Sequence, residues 1–112
     1  RFGENHGLSL GNMEWFWQQY LGDQEPATLA APIRRASLAG LPRAHIITAE
    51  YDVLRDEGEA YAKKLSEAGV PTTARRYDGN LHGFIQFAAA FDDGIAATHD
   101  VGKILNHHLL MP

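Results

Sequence analysis

A chain of 112 residues is long enough for one globular domain at most, and its 45% hydrophobic and 21% charged side chains are ordinary for a globular protein. The net charge of −4, with no basic cluster beyond Arg34-Arg35 and Arg75-Arg76, argues against nucleic acid as a partner. No apolar run approaches the roughly 20 residues that cross a membrane, and the absence of cysteine excludes disulfides and thiolate chemistry.

The first residues, Arg-Phe-Gly-Glu-Asn-His, have the character of neither a signal peptide nor a natural start. This predicts that the chain is the middle of a longer protein. The lack of cysteine leaves the compartment open, and we expect a cytoplasmic protein that binds neither membranes nor nucleic acid.

The first predicted element is an amphipathic helix that Ser9 can cap and that Gly22 can end. Its apolar stripe follows the i, i+3, i+4, i+7, i+8 spacing of a buried helix face, with Met13, Phe16, Trp17, Tyr20 and Leu21. Trp15 points roughly opposite this stripe. It is therefore either exposed or packed against a pocket or partner outside the helix.

A strand, a helix and a second strand follow the proline-containing connection of residues 23–44. His45–Glu50 is apolar on both faces, which predicts a strand covered on both sides. Thr72–Tyr77 is rich in β-forming residues and is bounded by Asp78-Gly79, a pair typical of turns. This spacing predicts a right-handed βαβ unit whose two strands run parallel.

The helix between these strands is predicted to begin at Asp56, the N-cap of a capping-box variant, and to end at Gly69. Glu59 and Lys63 have the i, i+4 spacing of an ion pair on its solvent side. Two further helices are predicted after the second strand, separated by a break at 92–94. Their apolar residues are Phe84, Phe87, Ala88 and Phe91 in the first, and Ala97, Val101, Ile104 and Leu105 in the second.

Asp52 and His82 each follow a predicted strand, 30 residues apart (82 − 52). Ligands of open α/β sheets bind beyond the carboxyl ends of the strands, and parallel strands place those ends at one edge. An Asp that accepts from one imidazole nitrogen leaves the other nitrogen free to act as a base. The spacing alone also allows Asp52 to be an ordinary loop carboxylate.

No serine in the chain is a convincing nucleophile. Gly7-Leu-Ser9-Leu-Gly11 matches the G-x-S-x-G pattern of a nucleophile elbow, but that elbow requires a buried strand before it, and none is predicted here. Ser9 is therefore interpreted as a helix cap. The histidines and acidic residues show no zinc-like spacing, so we expect neither a metal nor another cofactor.

Three stretches together resemble the C-terminal part of the hormone-sensitive-lipase family of α/β-hydrolases, which contains microbial carboxylesterases and lipases. They are Thr48-Ala-Glu-Tyr-Asp-Val-Leu-Arg-Asp-Glu-Gly-Glu-Ala-Tyr-Ala62, Ala68-Gly-Val-Pro71 and Tyr77-Asp-Gly-Asn-Leu-His-Gly-Phe84. The resemblance continues upstream through Met13-Glu-Trp-Phe-Trp17 and Gly40-Leu-Pro42. Val53 replaces the proline usual in the family, and Asn80 replaces a common larger hydrophobic residue.

The resemblance implies an α/β fold, specifically the C-terminal portion of an α/β-hydrolase. Residues 1–44 would form a cap-bordering helix and a connecting loop, and residues 45–112 would form the C-terminal part of the core. Asp52 would be the acid and His82 the base of a Ser–Asp–His triad. Trp15, Leu81 and Phe84 would contact the substrate. The Gly-Asp-Ser-Ala-Gly elbow and the His-Gly-Gly oxyanion loop of the family are absent from these 112 residues.

The resemblance therefore implies that this chain is the C-terminal part of a serine carboxylesterase or lipase. Its substrate would be a small-molecule ester, and its partner would be the remainder of the α/β-hydrolase chain. The alternative is a non-catalytic ligand-binding or regulatory relic of the fold. We also expect the chain alone to self-associate, because a buried strand without its neighbours exposes unpaired backbone groups.

Overall fold

The computed structural model describes residues 2–109, and this part of the chain contains three α-helices and a two-stranded sheet. Two short 3-10 helices, Pro32–Arg34 and Phe84–Phe87, lie in the connections. The elements in chain order are α1 (Leu10–Leu21), β1 (Ala44–Tyr51), α2 (Arg55–Glu67), β2 (Thr72–Leu81) and α3 (Asp92–Leu109).

The predicted βαβ unit is confirmed. β1 and β2 run parallel, with Ala44 opposite Thr72 and Ala49 opposite Tyr77, and α2 connects them. The two faces of the sheet bury different clusters, because alternate residues of a strand point to opposite sides. Ile46 packs on the side of Leu65 in α2, whereas Ile47 and Ala49 pack on the side of Ala97 in α3. This two-sided cover explains why β1 is apolar at successive positions.

β2 continues through the predicted turn, so the expectation that Asp78-Gly79 ends the strand is wrong. The strand extends to Leu81, and the register with β1 becomes irregular between Ala49 and Tyr51. Gly79 has a φ of 77°, a left-handed conformation that glycine adopts without steric cost. The turn-like pair is therefore used inside the strand, as a bulge.

The start of α2 differs from the prediction, because Asp56 is not its N-cap. The helix begins at Arg55, and the residue before it, Leu54, makes no side-chain cap. Asp52 Oδ1 accepts a hydrogen bond from the Leu54 amide at 2.8 Å, so the preceding turn is closed by a different carboxylate. Asp56 lies inside the first turn and pairs with Arg55, whose hydrogen bond holds the pKa of the Asp56 carboxyl below its usual value.

Glu59 binds a residue of β2 and not Lys63, the partner that its helical spacing predicts. Its carboxylate accepts from Arg76 Nε at 2.7 Å and from Arg76 Nη2 at 2.6 Å, and it also accepts from the Thr48 hydroxyl. The hydrogen bond from Arg76 is the main reason that the pKa of Glu59 is lowered. Lys63 pairs with Glu67 on the same helix, at 3.7 Å.

The aromatic stripe of α1 is largely uncovered. Within the described part of the chain none of the helix's residues is buried, and Phe16 and Tyr20 are among its exposed side chains. The spacing of the stripe predicts that this face of α1 is buried. Residues 2–109 do not bury it.

α3 begins at Asp92, although a break was predicted at 92–94. The two acidic residues of that segment lie in the first turn of the helix, where negative charge complements the helix dipole. Gly94, the next residue, is buried and lies against the backbone of the preceding segment.

Gly94→Ala is expected to destabilise the protein by roughly 1–3 kcal/mol, the usual cost of overpacking. A Cβ at this position would lie 2.8 Å from Ala88 Cα and 3.0 Å from the Phe84 carbonyl oxygen, and backbone atoms cannot rotate away. The measurement is the free energy of unfolding in urea. Gly102→Ala on the same helix is the matched control, because no heavy atom lies within 4 Å of a Cβ there. It should raise stability by about 0.4–1 kcal/mol, and equal effects at both positions would contradict this account of the packing.

Candidate active site

Asp52 and His82 are the first residues beyond β1 and β2, respectively. Because the strands are parallel and adjacent, these positions lie at the same edge of the sheet. His82 Nδ1 and Asp52 Oδ2 lie 2.8 Å apart, within hydrogen-bonding distance. The structure thus brings together the two residues that the sequence places 30 positions apart.

Both oxygens of the Asp52 carboxylate have a partner. Oδ1 accepts from the Leu54 amide at 2.8 Å, and Oδ2 lies against His82. The side chain of Asp52 is only 12% exposed, whereas that of His82 is 43% exposed. The carboxylate is therefore held from two sides, and the imidazole is accessible from outside. Since Nδ1 faces Asp52, Nε2 is the nitrogen that can exchange a proton with a third group.

The segment after His82 is anchored in the core. Gly83 has a φ of 76°, which lets the chain turn directly into the 3-10 helix at Phe84. Phe84 is buried and its ring centroid lies 5.1 Å from that of Tyr77. Tyr77 Oη donates to Asp100 Oδ2 at 3.0 Å. The pKa of Tyr77 is raised, mainly by burial and secondly by this hydrogen bond. His82 thus lies between the end of β2 and the buried residue Phe84, and both restrain its position.

Within residues 2–109, His82 borders a small cavity and a larger one. One, of about 200 Å³, lies beside the Asp52–His82 contact. The other, of about 510 Å³, is mainly apolar and is lined by Gly7, Gly79, Asn80, Leu81, His82, Phe84, Phe87 and Phe91. A third cavity, of about 750 Å³, lies at the opposite ends of the strands, where Ala44 and Thr72 begin them, and does not include either residue.

The three residues expected to contact substrate are placed differently. Leu81 and Phe84 line the 510 Å³ cavity beside His82. Trp15 is 56% exposed on α1, makes an edge contact with Phe16 and is not among the residues around His82. The structure does not bring Trp15 to this site, and its role stays a prediction.

Sequence reasoning missed part of the wall of this cavity. The spacing of Phe87 and Phe91 predicts only the apolar face of a helix, although their position just after His82 also indicates that they lie near the site. Gly7 is brought to the cavity by the fold of the N-terminal segment, which no local pattern indicates.

The serines lie away from this site. Ser9 caps α1, as predicted: its Oγ accepts from the Asn12 amide at 3.0 Å, and Asn12 Oδ1 accepts from the Ser9 amide at 3.2 Å. Ser37 accepts from the Ala39 amide in a loop, and Ser66 lies on α2. None of the three lines either cavity beside His82.

Residues 2–109 contain no group of three or more histidine, aspartate or glutamate side chains arranged to hold a metal ion. Over the same range, no helix combines the length and the apolar character needed to cross a bilayer.

Comparison with known proteins assigns the fold. The α/β-hydrolase fold family matches residues 1–86. An arylesterase of Saccharolobus solfataricus is 46% identical over 70 residues, which are 61% of this chain and 23% of that protein. The carboxylic ester hydrolase LipN of Mycobacterium tuberculosis is 37% identical over 111 residues, 96% of this chain and 30% of that protein. The solved structure of the ester hydrolase EH1AB1 from the metagenome of Lake Arreo superposes with a TM-score of 0.88 at 37% identity, and the match covers 96% of this chain and 35% of that protein.

The chain therefore spans about a third or less of the length of these relatives. The match extends over most of the chain, and the parallel βαβ unit agrees with it. The chain belongs to the α/β-hydrolase fold family, as its resemblance to the hormone-sensitive-lipase branch predicted.

Proposed function

We propose that this chain is the part of a serine carboxylesterase or lipase that supplies the acid and the base of a Ser–Asp–His triad. The observation that carries the proposal is the contact between His82 Nδ1 and Asp52 Oδ2 at the carboxyl ends of two parallel strands. The relatives named above as ester hydrolases support the reaction class.

In this mechanism, His82 Nε2 takes the proton from a serine hydroxyl that lies outside these 112 residues. The serine oxygen attacks the ester carbonyl, and the alcohol leaves with the proton that His82 returns to it. A water molecule, deprotonated by His82 in turn, then releases the carboxylic acid and restores the serine. Asp52 holds Nδ1 throughout and stabilises the imidazolium that forms at each step.

The substrate in this proposal is a small-molecule ester with an apolar group. The 510 Å³ cavity beside His82 has an aromatic wall of Phe84, Phe87 and Phe91, together with Leu81. Such a wall is suited to an acyl or alcohol chain, since pockets for small ligands are predominantly apolar. In this proposal, Trp15 contacts the substrate in the complete protein, where the remainder of the chain extends the pocket as far as α1.

The partner in this proposal is the remainder of the α/β-hydrolase chain. Among residues 2–109, β1 pairs with β2 along one edge, and no strand of that range pairs with its other edge. The apolar stripe of α1, which is largely uncovered, is a second surface that the remainder of the chain would bury.

The complete protein is expected to hydrolyse a p-nitrophenyl ester of a short carboxylic acid and to be labelled by a fluorophosphonate at a serine outside this chain. Release of p-nitrophenol and mass spectrometry of the labelled peptide measure these results. A protein that neither hydrolyses such esters nor reacts with the label would instead support the alternative, a ligand-binding relic that keeps the fold without the reaction.

A further inference from the structure

The position of His82 depends on the bulge in β2. From the pair Ala49–Tyr77 to the pair Tyr51–Leu81, β1 advances by two residues while β2 advances by four. Continued in the regular register, β2 would place Gly79 opposite Tyr51 and Asn80 opposite Asp52. The two additional residues are what bring His82, and not Asn80, to the end of β1.

One side chain of β1 holds this bulge. Glu50, the residue between the two register pairs, accepts a hydrogen bond at Oε2 from the Gly79 amide, at 2.8 Å. A bond from a backbone amide to a carboxylate is charge-assisted and stronger than a neutral one. The carbonyl of Glu50 in turn accepts from Arg55 Nη1 at 3.0 Å, which restrains the backbone from which the carboxylate extends.

The other side of the bulge is attached to α3. Asn80 Nδ2 donates to the Asp78 carbonyl at 3.0 Å and to Asp93 Oδ2 at 2.6 Å. These bonds restrain the chain after Gly79, but neither reaches β1. Beside the backbone pairing of Tyr51 with Leu81, the Glu50 carboxylate supplies a side-chain contact that joins the bulge to β1.

We propose that Glu50 is a positioning residue that fixes the register of the bulge and thereby holds His82 opposite Asp52. Glu50 and Asp52 are two residues apart and both bind the end of β2, one through the Gly79 amide and the other through the imidazole. The catalytic consequence rests on the proposed esterase function. The effect on the geometry of His82 does not.

The test compares Glu50→Ala with Glu50→Gln in the complete protein. Alanine removes the acceptor of the Gly79 amide, whereas the glutamine amide oxygen can replace it. We expect Glu50→Ala to lower kcat about 10²-fold, the size of effect that a small misplacement of a catalytic group produces. KM should change little. Glu50→Gln should recover most of kcat.

Proton NMR of the His82 Nδ1–H supplies a readout that needs no turnover. Its downfield resonance reports the hydrogen bond to Asp52, and we expect it to be lost in Glu50→Ala and kept in Glu50→Gln. Gly79→Ala, which places a side chain at a φ of 77°, should weaken the same resonance by an independent route.

Glu59→Ala is the matched control. It also removes a partly buried carboxylate that links to β2, but its partner is Arg76. It should lower stability and leave the resonance and kcat near the wild-type values. A normal resonance in Glu50→Ala, or equal losses in the alanine and glutamine variants, would overturn the proposal. If the wild-type protein shows the resonance but hydrolyses no ester, the esterase function fails and the role of Glu50 is still tested by the NMR comparison.

Discussion

Asp52→Asn in the complete protein is expected to lower kcat on a p-nitrophenyl ester by about 10⁴-fold, the effect that the same change has in serine proteases. An asparagine amide facing Nδ1 favours the tautomer in which Nε2 carries the proton, and that nitrogen can then no longer accept one. His82→Ala should abolish turnover, because it removes the base itself. Steady-state kinetics measures both effects, provided that the variants unfold at about the same temperature as the wild-type protein.

Asp56→Asn is the control for this prediction. Asp56 is an exposed carboxylate that pairs with Arg55, and it lies only four residues from Asp52 in sequence. Since the structure gives it no contact with His82 and no capping role, its replacement should leave kcat nearly unchanged. An inactive Asp56→Asn variant beside an active Asp52→Asn variant would reverse the assignment of the acid.

The 112-residue chain by itself is expected to turn over no p-nitrophenyl ester above background and to self-associate. It contains the proposed acid and base but none of its serines lies at the cavities beside His82. No strand among residues 2–109 pairs with the second edge of β1, so that edge can recruit other chains, and the apolar stripe of α1 adds exposed apolar surface. Ester hydrolysis and sedimentation of the purified chain measure the two properties.

Two results would contradict this prediction. Fluorophosphonate labelling of Ser9 would show that the residue is a nucleophile and not only the cap of α1. A compact monomer with a sharp cooperative melt would show that residues 1–112 are a self-sufficient domain. Addition of the remainder of the protein is the control for the activity readout, because it should restore turnover if the chain is correctly folded.

The carboxylates around the site illustrate how similar residues acquire different tasks. Asp52 binds the imidazole, Glu50 binds the Gly79 amide, and Glu59 binds Arg76. Asp56 remains at the surface beside Arg55. Each assignment follows from the donor that lies within reach once the strands are aligned, and not from the residue type.

The sequence by itself determined the βαβ unit and the edge at which its polar residues meet. An apolar run at 45–50, a helical stretch and a β-rich run at 72–77 are local patterns, and parallel strands joined by a helix bring their carboxyl ends together for any such sequence. That topology places Asp52 and His82 at the same edge of the sheet, whereas their direct contact also depends on the bulge in β2. The cap at Ser9 could also be predicted from the sequence, because its partner Asn12 is only three residues away.

Only the tertiary structure decided the contacts between segments distant in sequence. The bulge at Gly79 depends on a carboxylate 29 residues earlier, and the ion pair of Glu59 depends on an arginine 17 residues later. Local spacing instead predicted a turn at Asp78-Gly79, a cap at Asp56 and a pair between Glu59 and Lys63. A carboxylate binds whichever donor the packed strands and helices bring within about 3 Å, and that choice is made when distant segments pack together.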